Sequence, residues 1–156
     1  MVLVAIQSVK YPDRYVSLDG QGVTRFLPQG GGRVITQTYI GTWETFVLVE
    51  NSDDTVSLKS TVFDNVFLRL DATGVAQGQT LPNGGGVVNA QYTANTSEKF
   101  RIQKKVNGSG NFYGIVGIES SFYPGRYLRM DGGVNKVNVQ GVFGDNEEFR
   151  ILVVGK

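Results

Sequence analysis

A single spacing rule is written three times along this chain. An apolar residue is followed nine positions later by an aromatic and four later by an aspartate: Ile6, Tyr15, Asp19; Leu58, Phe67, Asp71; Ile118, Tyr127, Asp131. Further on, each copy carries Val-x-x-Gln, then Glu seven and Phe nine residues after the Gln. These positions are Val34, Gln37, Glu44, Phe46; Val88, Gln91, Glu98, Phe100; and Val137, Gln140, Glu147, Phe149. A unit of about fifty residues that recurs to fill the chain constrains the fold before any local detail does. The units run over about 1–50, 51–105 and 106–156.

Within each unit the residues alternate apolar and polar in short runs, as in Val56-Ser57-Leu58-Lys59-Ser60. Asp-Gly and Gly-Gly steps punctuate them, and no twelve-residue window holds a helical stripe. Period two in runs of four to six means strands and tight turns. In the first unit the strands are expected at about 4–8, 14–18, 33–37 and 45–50, so three units give twelve. Three units are too few for an ordinary propeller, and a solenoid would expose its ends. Closure about a pseudo-threefold axis removes exposed sheet edges. The expected fold is therefore an all-β single domain over 1–156, a β-trefoil of three four-stranded repeats. Ile6/Leu58/Ile118, Tyr15/Phe67/Tyr127 and Phe46/Phe100/Phe149 would form its layered core.

Composition narrows the chemistry. The chain has no Cys and no His, which removes thiolate chemistry, the commonest metal ligand and the commonest general base at neutral pH. No cofactor or metal is expected. The net charge of +1 without a basic run speaks against nucleic acid, and no long apolar stretch speaks for membrane insertion. The expected location is the cytoplasm, or outside the cell without a recognisable signal peptide.

Two resemblances cover the chain. The stretch VSLKSTVFDNVFLRLDATGV followed by VNAQYTANTSEKFRI resembles a repeat of the fascin and hisactophilin type, and Trp43-Glu44-Thr45-Phe46 fits its closing element. SVKYPDRYVSLDG and SSFYPGRYLRMDG resemble arabinose-binding modules of fungal arabinofuranosidases. Both families are β-trefoils. The first resemblance implies actin filaments as partner, the second glycans. The chain departs from each: it lacks the histidines of hisactophilin, and Met130 stands where the arabinose modules usually carry His. The Gln-x-Trp signature of ricin-type lectins is absent, since the only Trp is Trp43.

Three sets of residues are candidates for ligand binding. Leu27-Pro28-Gln29-Gly30-Gly31-Gly32 and Leu81-Pro82-Asn83-Gly84-Gly85-Gly86 are near-identical loops, centred on Gly31 and Gly85. The third repeat lacks one, because Asp131 lies only nine residues before Gln140, against eighteen and twenty in the other units. If the loops wall the pockets of their own repeats, the third site is the open one. Asp19, Asp71 and Asp131, with Tyr11, Phe63 and Tyr123 four positions before each core aromatic, offer the carboxylate and ring face that suit a sugar. The same aspartates also suit the turn after the second strand. Gln37, Gln91 and Gln140 line a pocket on one reading and hold a strand end on the other. Arg14 with Arg126, and Arg69 with Arg129, recur in two copies each and read as ordinary solvated charges.

Three equal copies suit multivalent binding better than one reaction centre. The expected function is a non-catalytic, lectin-like carbohydrate-binding protein with up to three repeat-related sites. The alternative is a fascin-like protein that binds and crosslinks actin.

Overall fold

The computed structural model describes residues 1–156. It contains twelve strands: β1 (Val2–Ser8), β2 (Tyr15–Asp19), β3 (Arg33–Gln37), β4 (Phe46–Glu50), β5 (Val56–Ser60), β6 (Val66–Asp71), β7 (Val87–Tyr92), β8 (Phe100–Val106), β9 (Phe112–Ser120), β10 (Tyr127–Asp131), β11 (Lys136–Gln140) and β12 (Phe149–Gly155). The only helical segments are single 3₁₀ turns at Thr42–Glu44, Thr96–Glu98 and Asp145–Glu147, each just before the last strand of its repeat. The strands of the first repeat start and end within two residues of the expected positions.

Six strands close into a barrel. β1 pairs with β4, β4 with β5, β5 with β8, β8 with β9, β9 with β12, and β12 returns to β1. The remaining strands form three hairpins, β2–β3, β6–β7 and β10–β11. This is the β-trefoil, a closed barrel with three hairpins docked on it.

The register is threefold. Val4, Val56 and Val116 lie opposite Phe46, Phe100 and Phe149. All three phenylalanines are fully buried. One step along, Ile6 faces Ile151, Leu48 faces Leu58 and Ile102 faces Ile118. Ile6, Leu58 and Ile118 are sealed from solvent. The third set of aromatics departs from the expected layer. Phe67 is buried, but Tyr15 and Tyr127 are only half-buried. Each sits at the hairpin's entry, paired across it with Gln37, Gln91 or Gln140. A phenol at that place keeps its hydroxyl wet while its ring is covered. Tyr127 stacks on Phe143 with centroids 5.1 Å apart, and burial followed by the charge of Glu119 raises its phenol above the ordinary range.

Candidate functional site

The glycine loops do not wall their own repeats. Each crosses to the hairpin of the next one. Gly31 exchanges two backbone hydrogen bonds with Ala90 on β7, and Gly85 does the same with Val139 on β11, at 2.8–2.9 Å. Gln91 then grips Leu27: Oε1 accepts the Leu27 N–H at 3.0 Å and Nε2 donates to its carbonyl at 2.6 Å. Gln140 grips Leu81 in the same way. Two of the three glutamines therefore fasten loops. Gln37 makes no side-chain hydrogen bond, because no third loop reaches it. Asn135, in the short β10–β11 turn, stands in: its Oδ1 accepts the N–H and hydroxyl of Thr36 at 2.8 and 2.7 Å. The repeat whose hairpin is left open is thus the first, not the third.

Arg69 and Arg129 are the principal correction to the sequence reading. They are not solvated charges: they are only 7% and 5% exposed. Arg69 donates to Asn89 Oδ1 at 3.2 Å and pairs with Asp71 at 3.3 Å. Arg129 donates to Asn138 Oδ1 at 3.2 Å and to the Asn83 carbonyl at 3.1 Å, and pairs with Asp131 at 3.7 Å. Asn89 and Asn138 hold the incoming loops by donating to the carbonyls of Gln29 and Asn83. The first repeat, which receives no loop, has Ser17 and Ile35 at these positions. Arg and Asn recur together in just the two repeats that receive a loop. That joint recurrence was the available sign of their role.

The three aspartates cap turns. Oδ1 of Asp19, Asp71 and Asp131 accepts the N–H of Gln21, Thr73 and Gly133 respectively at 2.9–3.0 Å. Their aromatic neighbours come from the adjoining repeat. Tyr11 donates its hydroxyl to Asp131 at 3.2 Å, and Tyr123 to Asp71 at 3.3 Å. Phe63 has no hydroxyl; its ring lies over Gly20, next to Asp19, where an added Cβ would fall 2.9 Å from Cγ. Phe63 and Tyr123 also pack on the core, which leaves each ring partly covered. Burial would raise the Asp71 carboxyl, but the Thr73 and Tyr123 hydrogen bonds and the Arg69 charge outweigh it and hold it below the usual carboxylate range.

Glu44, Glu98 and Glu147 complete the pattern. Each is buried, and its Oε1 accepts the backbone N–H three residues earlier at 2.8 Å. In the first repeat Oε2 takes the Ser17 hydroxyl at 2.5 Å. In the third, Oε2 of Glu147 has no partner. Burial pushes the Glu98 and Glu147 carboxyls up, opposed by these N–H bonds and by Arg69 and Arg129.

A cleft opens where the first loop meets the second repeat. Its volume is about 630 Å³, within the range of small-molecule sites. Phe26 and Pro28 of the loop line it together with Thr93, Asn95, Thr96 and Ser97 of the second repeat and the buried Arg69, Gln91 and Glu98. Phe26 is 57% exposed. The side chains of Asn95, Thr96 and Ser97 make no hydrogen bond within the protein. Asp131 lines a smaller cleft of about 460 Å³ with Asn83, Arg129, Val134, Asn135 and Lys136. The repeat-related cleft of the first repeat, about 340 Å³, is bounded by Tyr39, Gly41, Thr42, Trp43 and Glu44.

No protein-family model matches the chain, and no curated protein matches it in sequence. Solved structures do. The designed threefold-symmetric protein ThreeFoil superposes with a TM-score of 0.68 at 13% identity, over 97% of this chain and 99% of its own. SeviL, solved bound to the asialo-GM1 saccharide, gives 0.68 at 8% identity over 99% of both chains. The BEL β-trefoil gives 0.64 at 12% identity, over 98% of this chain and 93% of its own. At such identities the likeness establishes the β-trefoil fold and nothing finer.

Proposed function

We propose that this protein is a non-catalytic, lectin-like carbohydrate-binding β-trefoil, with the cleft of the second repeat as its principal saccharide site. One observation carries the reading. Three adjacent polar side chains, Asn95, Thr96 and Ser97, stand unengaged in a cleft that is also lined by the exposed ring of Phe26. Amide and hydroxyl groups match the donors and acceptors of vicinal sugar hydroxyls, and a ring face covers the C–H patch. An apolar ligand would leave those polar groups unpaired at a cost. Around the cleft two carboxylates, Asp71 and Glu98, face one guanidinium, Arg69. The cleft therefore favours a neutral saccharide over a sialylated or sulfated one. SeviL, which shares the fold, was solved with a saccharide bound, and this supports the ligand class. The triplicated aspartates act at one remove in this reading: Asp71 pairs with Arg69 beneath the cleft. The Asp131 cleft has no aromatic ring among its lining residues and so lacks the ring face this reading requires.

A glycan array with native protein and the Asn95→Ala/Ser97→Ala double variant tests the proposal, beside actin co-sedimentation. Neutral glycans should bind native protein, the double variant should bind them about tenfold more weakly or worse, and neither should pellet with filaments. Co-sedimentation without glycan binding would replace this reading with the fascin-like one.

A further inference from the structure

We infer that the cleft of the first repeat is a second saccharide site of different selectivity, one that reads a ring face rather than a hydroxyl pattern. The inference rests on the carbohydrate-binding reading above and names a ligand class for a place that reading does not use. The two clefts occupy the same position in successive repeats: after the hairpin's second strand, beside the 3₁₀ turn and over its buried glutamate. Their chemistry differs residue for residue. Where the second repeat has Thr93 and Ser97, the first has Tyr39 and Trp43.

Both aromatics are offered to solvent, Tyr39 at 59% and Trp43 at 38%. Both are also positioned. The Tyr39 ring covers the Gly41 backbone, where an added Cβ would meet Cε2 at 3.1 Å. Trp43 leans on Phe63, with centroids 5.9 Å apart and planes at 51°. Phe63 is itself seated on the core. The carboxylate beneath offers little to a ligand, because Glu44 spends one oxygen on the Gly41 N–H and the other on the Ser17 hydroxyl. The polar groups left free on the lining side chains are the Thr42 hydroxyl and the two aromatic tips, the Tyr39 hydroxyl and the Trp43 indole N–H. Such a cleft has large ring faces and few free polar groups. It suits a neutral pyranose whose C–H bonds gather on one face, as they do when one ring hydroxyl is axial.

The third repeat does not repeat the arrangement. Val142 and Asn146 stand in place of Tyr39 and Trp43. Asn146 is already engaged, donating to the Met130 carbonyl at 3.0 Å and accepting from Lys10 at 3.3 Å. The molecule then carries two unlike sites rather than three equal ones, and can bridge two different sugars.

Trp43 is the only tryptophan, so its emission reports this cleft alone. Methyl β-galactopyranoside and methyl β-glucopyranoside are titrated into native protein, Tyr39→Ala, and Asn95→Ala/Ser97→Ala. Fluorescence and calorimetry are read together, and thermal melts confirm that each variant folds. The expected result is a Trp43 response to the galactoside, weaker for the glucoside, unchanged in the double variant and weakened about tenfold in Tyr39→Ala. A Trp43 response that prefers neither sugar, or that disappears in the double variant, overturns the inference. Calorimetric binding that the double variant abolishes, with Trp43 silent throughout, overturns the second site and leaves the first. No heat and no fluorescence change with these sugars, together with an array that binds no glycan, overturns both.

Discussion

Gln140 holds Leu81 by both ends of its amide: Oε1 accepts the Leu81 N–H at 2.8 Å, and Nε2 donates to the Leu81 carbonyl at 2.8 Å. The pair joins the third repeat's hairpin to the second repeat's loop. Gln140→Ala leaves three backbone groups without their partner, the two of Leu81 and the Gly141 N–H, and should cost about 2 kcal/mol. Gln37 occupies the equivalent position with nothing to grip. Gln37→Ala should stay within about 0.5 kcal/mol of native. Urea melts of both variants check the contrast, and equal losses would mean that the clamp is not what fixes the glutamine.

The loop's own backbone is tested at Gly84. Its φ is +65°, and a Cβ there would fall 2.5 Å from Asn138 Oδ1 and 2.7 Å from Arg129 Cδ. Gly84→Ala should cost at least about 2 kcal/mol, from backbone strain and from displacement of the Arg–Asn pair. Gly22 has a similar φ of +80° with nothing within 4 Å. Gly22→Ala should cost only about 1 kcal/mol. Thermal unfolding of the two variants separates strain from collision.

The barrel layer of Phe46, Phe100 and Phe149 should respond evenly. Truncating any one to Ala should cost about 3–5 kcal/mol, because all three rings are fully buried in equivalent places. Chemical denaturation of the three variants checks it. A loss below about 1 kcal/mol at one position would break the threefold equivalence.

Glu147 gives the molecule a pH dependence of predictable sign. Burial raises its folded-state carboxyl above the ordinary value, and Oε2 lacks a partner. The folded state therefore holds this proton more tightly than the unfolded chain does. The contribution to stability is complete below the ordinary glutamate value and is lost as pH rises through the raised one. Glu147→Gln keeps an oxygen for the Gly144 N–H and removes the charge. Its melting temperature should match native near pH 4 and exceed it by a few degrees at pH 7. A variant that is less stable than native at pH 7 would show that Arg129 outweighs burial at this glutamate.

The triplicated spacing made the architecture legible, because a barrel of three equal units imposes the same register three times. Phe46, Phe100 and Phe149 recur because the barrel needs them at one level. The site was less legible because function here lies where the copies differ. Thr93 and Tyr39, or Ser97 and Trp43, have nothing in common until the fold sets them in equivalent clefts. The direction of the loops was hidden for a similar reason. Spacing shows that Leu27–Gly32 belongs to the first repeat, but only the paired strands reveal that it lies on the second. Arg69 and Arg129 looked like surface charges because the loops that bury them come from elsewhere in the chain.

A neutral saccharide held in the second repeat's cleft should leave a local signature. Amide chemical shifts of uniformly labelled protein, followed while a neutral oligosaccharide taken from the array is added, test it most directly. Saturable shifts are expected, concentrated at Phe26 and along Gln91 to Glu98, where the cleft is lined. Shifts confined to other surfaces, with these amides unmoved at saturation, would contradict it.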